Sequence, residues 1–489
     1  MEGYPKSIDF AGADAAFDEL KQFLDAGGTL CHDELEAGVA QRGREVARRA
    51  LQDFLDHRAA GERRRPVVIG RDGVARHRVE KSSRALDTIV GPVRVGRLAY
   101  RTPGAPNAHP VDADLNLPRS KASLGVRQMA ADRASRGSFE ASTRDLCAAT
   151  GLSIGKRQVE ELVGHFSQDI ESFYDGLEHD RAPSDDVLVL SIDGKGVVVR
   201  PQDLREATRK RAQNTTPKLE KRASRGEPKG RKRTVMLSVT YDVSPRPRRV
   251  EDVLDGGKAR LRSKRPKPRG KRYRIDLEDN TEQAVAKLFD DAERRDPKRK
   301  RPWVLLVDGD MRIHRPIRRE LARRKLRNVF VLIDIVHVIE YLWAAAWSFF
   351  REGDRKAEQW VRTQLLALLE GNAKLIPRRL RAKATKAKLT GAKRKKVDDA
   401  ANYIQKRYSE LRFDEALARG FPIATGVIEG ACRHIIADRM AITGARWSIA
   451  GAEAVLRIRT LRCSGHFEEY SRFHADRERE RNHDLRDAA

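Results

Sequence analysis

Two acids stand at the ends of apolar runs. Asp193 closes VLVLSID (187–193) and is followed by Gly194; Asp308 closes WVLLVD and is followed by Gly309. A carboxylate at the end of a buried strand is costly unless it is paired or binds a cation. Two such acids on neighbouring strands, joined by a third from a helix, would make a metal-binding cluster. Mg²⁺ takes a few carboxylates together with waters and substrate phosphates. Two ions roughly 3.5–4 Å apart can activate an attacking oxygen and stabilise a leaving one in phosphoryl transfer. The competing reading is that these acids begin turns or cap helices, since Asp-Gly is a common turn pair. Physics alone leaves the third acid open among Glu320, Glu340 and Glu429. Asp310 competes with Asp308 for the second place unless it caps the following helix.

The elements that must position these acids begin at residue 187, where the pattern becomes α/β. TVMLSVTYDV (234–243) is a second strand. An amphipathic helix follows, capped by Asn280 or Thr281 and presenting Ala284, Val285, Leu288 and Phe289. WVLLVDGD (303–310), a helix over Met311–Lys325 and VFVLID (329–334) make a βαβ unit. HVIEYLWAAAWSFF (337–350) is a strongly apolar helix. Residues 351–420 read as an all-helical basic insertion, residues 421–465 resume the α/β domain, and 466–489 read as a charged tail expected to fray.

Upstream, residues 1–60 read as a helical hairpin broken at Gly27-Gly28, with Phe17, Leu20, Phe23 and Leu24 in its first helix and Val46, Ala50, Leu51, Phe54 and Leu55 in its second. Residues 61–120 read as a small β module and a loop. Residues 121–180 are helical, and STRDLCAATGLSIGKRQVEELV within them reads helix, turn, helix. Ser142 and Ser153 are its candidate caps and Gly151 its turn residue. Lys156 and Arg157 open the second helix, where a recognition helix meets DNA.

Composition narrows the partners. The 489 residues hold 99 Lys and Arg against 71 Asp and Glu, a formal charge of +28. That excess points to nucleic acid, bound by salt-dependent release of counterions. The charge is clustered: Lys258–Arg274 and Arg378–Lys396 each hold ten Lys or Arg and no acid. These runs are expected to track DNA backbone and to order on it. RNA binding is the weaker option, since aromatics are only 6% and no strand resembles an RNA-recognition motif. No apolar run is long enough to span a membrane, and the start does not read as a signal peptide. The four scattered cysteines imply a reducing compartment.

Four blocks, SIDGKG (191–196), VDGDMRIH (307–314), IDIVHVIEYLW (333–343) and TGVIEGACRHIIADRMAITGARWS (425–448), together resemble the DDE transposases of bacterial insertion sequences, specifically the Kra-type group related to mutator-like transposases. The resemblance covers roughly 187–465 and extends more loosely over the N-terminal third. It implies a multi-domain α+β protein with an RNase H-like catalytic domain, a mixed five-stranded sheet flanked by helices. It also implies a helical insertion before the last acid. Asp193, Asp308 and Glu429 become the catalytic and metal-holding acids, with two Mg²⁺ ions for which Mn²⁺ can substitute. The Asp-x-x-His block falls on Asp334 and His337, and the late Arg and Trp on Arg439 and Trp447, with Arg446 alongside. Lys195, His337, Arg439, Arg446 and Trp447 are then DNA-binding candidates, with Trp447 stacking on an unpaired base; Asp310 and Asp334 are supporting. The implied partners are the element's terminal repeats and target DNA, bound by at least a dimer in the bacterial cytoplasm at the nucleoid.

Three departures from the family pattern stand out. The stretch before the Pro-Asp loop (99–118) has no cysteine, so no zinc is expected. Asp310 stands where a small residue is usual, and Met311 and Ile313 replace aromatics. Other readings are an RNase H-like nuclease such as a junction resolvase, and a decayed or domesticated DNA-binding protein.

Overall fold

The computed structural model describes residues 7–177, 183, 185–214, 232–254, 266–277, 280–442, 444–483 and 486–487. The chain divides into two units, residues 1–176 with 466–489, and residues 177–465.

In the first unit, α1 (Ala11–Asp25) and α2 (His32–Ala60) form the hairpin, with the Gly27–Thr29 turn between them. The Leu51, Phe54 and Leu55 face of α2 packs on a β-hairpin, β1 (Arg78–Thr88) and β2 (Gly91–Arg101), around Leu86, Val93 and Val95. The pattern of α1 misleads. Phe17 and Leu24 are exposed, and the helix buries Ala13 and Ala16 instead. Small residues bring the two helices close: a Cβ on Gly38 would meet the Phe23 ring at 2.1 Å.

Helices α3 (Leu124–Arg136), α4 (Phe139–Thr150) and α5 (Lys156–Ser167) follow. Gly151 turns between α4 and α5 with φ of 70°, the left-handed region that glycine adopts most readily. The caps differ from those expected. Ser138 caps α4, accepting from the Ala141 amide at 3.1 Å. Ser142 lies inside that helix and donates back to the Ser138 carbonyl. Gln158 accepts from the Gly155 amide at the start of α5, so Ser153 is not the cap. Lys156 and Arg157 are exposed on its first turn.

The expected charged tail is instead a folded helix, Phe467–Asn482, and Arg486–Asp487 pairs with Val68–Ile69. Tyr470 is fully buried, and its hydroxyl donates to the Phe166 carbonyl. Glu478 accepts from Arg127 at 2.7 Å, with both side chains buried. Arg481 also pairs with Glu478, at 2.9 Å, so losing Arg127 removes one of two cations from this carboxylate. Arg127→Met is therefore expected to lower the stability of this unit by about 1–3 kcal/mol, read as a lower urea midpoint.

The second unit is built on five strands: β3 (Val187–Val198), β4 (Lys232–Val243), β5 (Pro268–Asp276), β6 (Trp303–Val307) and β7 (Val329–Ile333). Their order is β5-β4-β3-β6-β7. In the first three each strand is antiparallel to its neighbour, and β3, β6 and β7 run parallel. Every residue of β6 is buried, as suits a central parallel strand covered on both faces. The intervening helices are α6 (Thr281–Arg295), α7 (Met311–Arg323) and α8 (Ile335–Ala346). Asn280 caps α6 through a reciprocal bond with Gln283.

The two basic runs differ from expectation. Residues 258–265 lie outside the described residues. On β5, Arg269 is bound to Asp186, and Arg272 and Arg274 are paired with Asp291. Arg272 and Arg274 are buried beside the acid they pair with, while Arg269 stays half exposed. The second run is mostly helical. It spans α10 (Leu375–Lys386) and α11 (Gly391–Gln405), which follow α9 (Arg355–Leu369) in the insertion. Buried Ile376, Leu380 and Ala384, and Val397, Ala400 and Ile404, keep helical spacing and turn most of the lysines outward. Among the described residues no helix is long and apolar enough to cross a membrane.

Candidate metal centre

Strand register fixes where the acids fall. Ser191 is level with Leu306, and Leu306 with Leu332, across β3, β6 and β7. Two residues further along the three parallel strands come Asp193, Asp308 and Asp334. They form one row at the carboxyl edge of the parallel strands, where α/β sheets bind ligands.

Asp193 lies within β3. Its Oδ2 accepts from the Cys432 thiol at 3.3 Å. Burial, and then the Asp193 charge, push that thiol far above the ordinary range, so Cys432 is a neutral donor here. Asp308 follows the end of β6. Burial pushes its carboxyl up and the charge of Asp193 adds to this, against the opposing bond from the Asp310 amide. Asp310 itself is the cap of α7, accepting from the Arg312 amide at 2.8 Å and paired with the Arg312 guanidinium. That pairing holds its carboxyl below the usual range.

The turn after Asp308 is clamped by the insertion. Tyr403 on α11 donates to the Asp308 carbonyl at 2.7 Å, and Arg407 donates to that of Gly309. The Tyr403 ring stacks on Tyr341 of α8, with centroids 4.0 Å apart. The Arg407 guanidinium lies 4.1 Å from the Tyr403 centroid.

Asp334 is fully buried and caps α8, its Oδ1 accepting from the Val336 amide at 2.9 Å. Its Oδ2 accepts from the Thr425 hydroxyl, which also lies 3.1 Å from Glu429 Oε1. Glu429 stands on α12 (Gly426–Ala431), which continues into a π-helical turn at Cys432–Ala437. His337 lies one turn into α8. Its Nδ1 is 3.2 Å from Glu340, and its Nε2 is 4.0 Å from Glu429.

Asp334, His337 and Glu429 each offer one ligand atom, and these atoms lie within 4.8 Å of one another. The group could hold a metal ion. One hydroxyl proton on Thr425 cannot serve two carboxylates at once. The pair needs a proton or a cation between them. Burial, then the neighbouring Asp334 carboxyl, push Glu429 above the ordinary carboxylate range.

A proton therefore competes with any cation at Glu429 and Asp308. Mn²⁺ affinity is expected to fall on acidification, starting above the ordinary carboxylate pKa of about 4.3. Titration of the Mn²⁺ electron paramagnetic resonance signal between pH 8 and pH 5 checks this; a flat profile contradicts it.

The other expected site residues divide. Lys195 and Arg446 are exposed. Lys195 lies two residues past Asp193, and its charge is felt at Cys432. Trp447 is buried. Its indole donates to the Met440 carbonyl, and its backbone pairs with the end of β3 at Val198–Arg200. Arg439, also buried, sits 4.6 Å from its ring centroid. Trp447 and Arg439 thus lie buried beside the end of the Asp193 strand, and the Trp447 ring is part of the packing rather than an open stacking face. Sequence reasoning missed Cys432, Thr425, Tyr403 and Arg407. Thr425 and Cys432 stand four residues before and three after Glu429, a same-face spacing that could have flagged them; Tyr403 and Arg407 left no such signal.

No protein-family model matches the chain, and no curated protein matches it.

Proposed function

We propose that the chain is a DDE-type transposase of the Kra-type group, cleaving and joining DNA by metal-dependent phosphoryl transfer. The observation that carries this reading is the row of Asp193, Asp308 and Asp334 at one sheet edge, with Glu429 brought beside Asp334 from a distant helix. The order β5-β4-β3-β6-β7, with its antiparallel and parallel halves, suits an RNase H-like core.

In this reading Asp193, Asp308 and Glu429 would hold two Mg²⁺ or Mn²⁺ ions, and Asp334 and His337 would extend the ligand set at Glu429. The fit rests on two carboxyls around one hydroxyl proton, together with the neighbouring Asp308, whose carboxyl burial and the charge of Asp193 push up. Bound there, the ions supply positive charge to the attacked and leaving oxygens. The protein aligns the groups. Water attacks a phosphodiester at the element's end, the bond from phosphorus to the 3′-oxygen breaks, and a 3′-hydroxyl and a 5′-phosphate result. That hydroxyl then displaces a 3′-oxygen in target DNA, so one phosphodiester is exchanged for another and no outside energy source is needed. Lys195 and Arg446 hold backbone phosphates. Lys156 and Arg157 on α5 contact the terminal repeats. Two ends brought together require at least a dimer, working at the bacterial nucleoid.

Labelled DNA carrying the element's own flanking ends tests this. Cutting followed by joining to a target plasmid supports a transposase. Cutting without joining would place the chain among nucleases, and salt-sensitive binding without either would remove the enzyme reading.

A further inference from the structure

The first unit holds a cavity of about 620 Å³ whose wall carries five arginines. Arg71, Arg76, Arg84, Arg97 and Arg119 line it, against the carboxylates of Asp72 and Asp112. Gathering this many cations in partial burial is unfavourable without compensating anions. The two carboxylates cover only part of it. Arg76 is bound by Asp72 at 2.6 Å. Asp112 is held by Arg97, and Arg84 lies 3.7 Å away from it. Arg71 donates to the carbonyls of Glu480 and Arg481 and, like Arg119, has no carboxylate partner among the described residues. Arg97 Nε is buried with no hydrogen-bond partner, and so is Asp112 Oδ1.

The neighbouring groups register the excess of positive charge. Burial, and then the charge of Arg84, push Arg97 down to about 10. Burial, and then Arg97, push His109 in the same wall down to about 4, so this imidazole is neutral and leaves its field to the arginines.

We propose that this cavity is a binding site for a phosphate chain or a terminal phosphate, distinct from the acidic centre of the second unit. Arginine forks match phosphate oxygens two at a time. The volume exceeds what one phosphate needs and suits two or three in a row. The lining holds no Phe, Tyr or Trp, so nothing of that kind stacks a base; recognition runs through phosphate. A duplex presents its phosphates on a convex surface. It cannot reach side chains that are only 3% exposed at Arg76, 15% at Arg84 and 11% at Arg97. A free polyphosphate or the phosphorylated end of a single strand can.

The test is calorimetric titration of the full chain with inorganic tripolyphosphate. A parallel titration uses a short single strand carrying either a 5′-phosphate or a 5′-hydroxyl. Arg119→Glu removes an exposed cation at the cavity and leaves the internal pairs intact. Lys21→Glu reverses an equal charge on α1 and controls for general attraction to a basic protein. One saturable site for tripolyphosphate, weakened at least tenfold by Arg119→Glu and less than twofold by Lys21→Glu, supports the proposal and identifies a free polyphosphate. A preference for the 5′-phosphorylated strand, lost in Arg119→Glu alone, supports it with a strand end as the source. Absence of saturable binding of either probe, or equal weakening by the two substitutions, overturns it. Neither result depends on DNA cleavage by the second unit.

Discussion

Asp308→Asn is expected to lower metal-dependent DNA cleavage by at least about 10³-fold, the scale of losing a group that acts as part of a catalytic unit. The same holds for Asp193→Asn and Glu429→Gln. The fold is expected to survive all three. Burial already pushes the Asp308 carboxyl toward its neutral form, so a neutral amide of equal size relieves a desolvation cost. Its side-chain oxygen can still accept from the Asp310 amide. Thermal stability should therefore hold or rise while activity vanishes, the trade expected where a site is kept at the expense of stability. Asp310→Asn separates the roles. Asp310 caps α7 and asparagine caps nearly as well, so cleavage should stay within a few-fold of the wild type. A matching loss at Asp310 would move the metal site away from Asp308.

The second large effect is structural. Gly309 adopts φ of 89°, and a Cβ there would lie 2.6 Å from the Tyr403 hydroxyl and 2.8 Å from Arg407 Nε. Gly309→Ala thus meets both a strained backbone and a collision, together costing about 2–4 kcal/mol. The turn cannot shift without moving Asp308, because Tyr403 and Arg407 grip its two carbonyls. A lowered urea midpoint with a parallel loss of cleavage is the expected result. Tyr403→Phe alone removes one hydrogen bond, about 1 kcal/mol. Combined with Gly309→Ala it should recover part of the stability by removing the nearer of the two colliding atoms. No recovery would show that the backbone conformation, and not the hydroxyl, sets the cost.

What could be read from the sequence followed from local rules. Asp193 and Asp308 close apolar runs, so their place on buried strands was legible, as were the βαβ unit and the Asn280 cap; that β3 runs on past Asp193 to Val198 was not. Register was not. That Asp334 joins the same row depends on pairing across β3, β6 and β7, which no local pattern encodes. Glu429 could be chosen over Glu320 and Glu340 only through resemblance. The structure puts Glu320 in ion pairs with Arg323 and Arg324, and Glu340 behind His337.

The failures share one cause: a partner distant in the chain. Arg272 and Arg274 look like DNA-facing charges until Asp291 is seen beside them. Residues 466–489 look like a loose tail until Arg127 and Phe166 meet Glu478 and Tyr470. Trp447 looks like a stacking platform until its backbone is found paired with the end of β3.

The most direct measurement is an anomalous-scattering map of crystals grown with Mn²⁺, comparing the wild type with Glu429→Gln. The account predicts manganese at the carboxyl edge of the parallel strands, among Asp193, Asp308 and Glu429, with the density at Glu429 lost in the variant. Manganese bound elsewhere, or bound there unchanged in the variant, would contradict it.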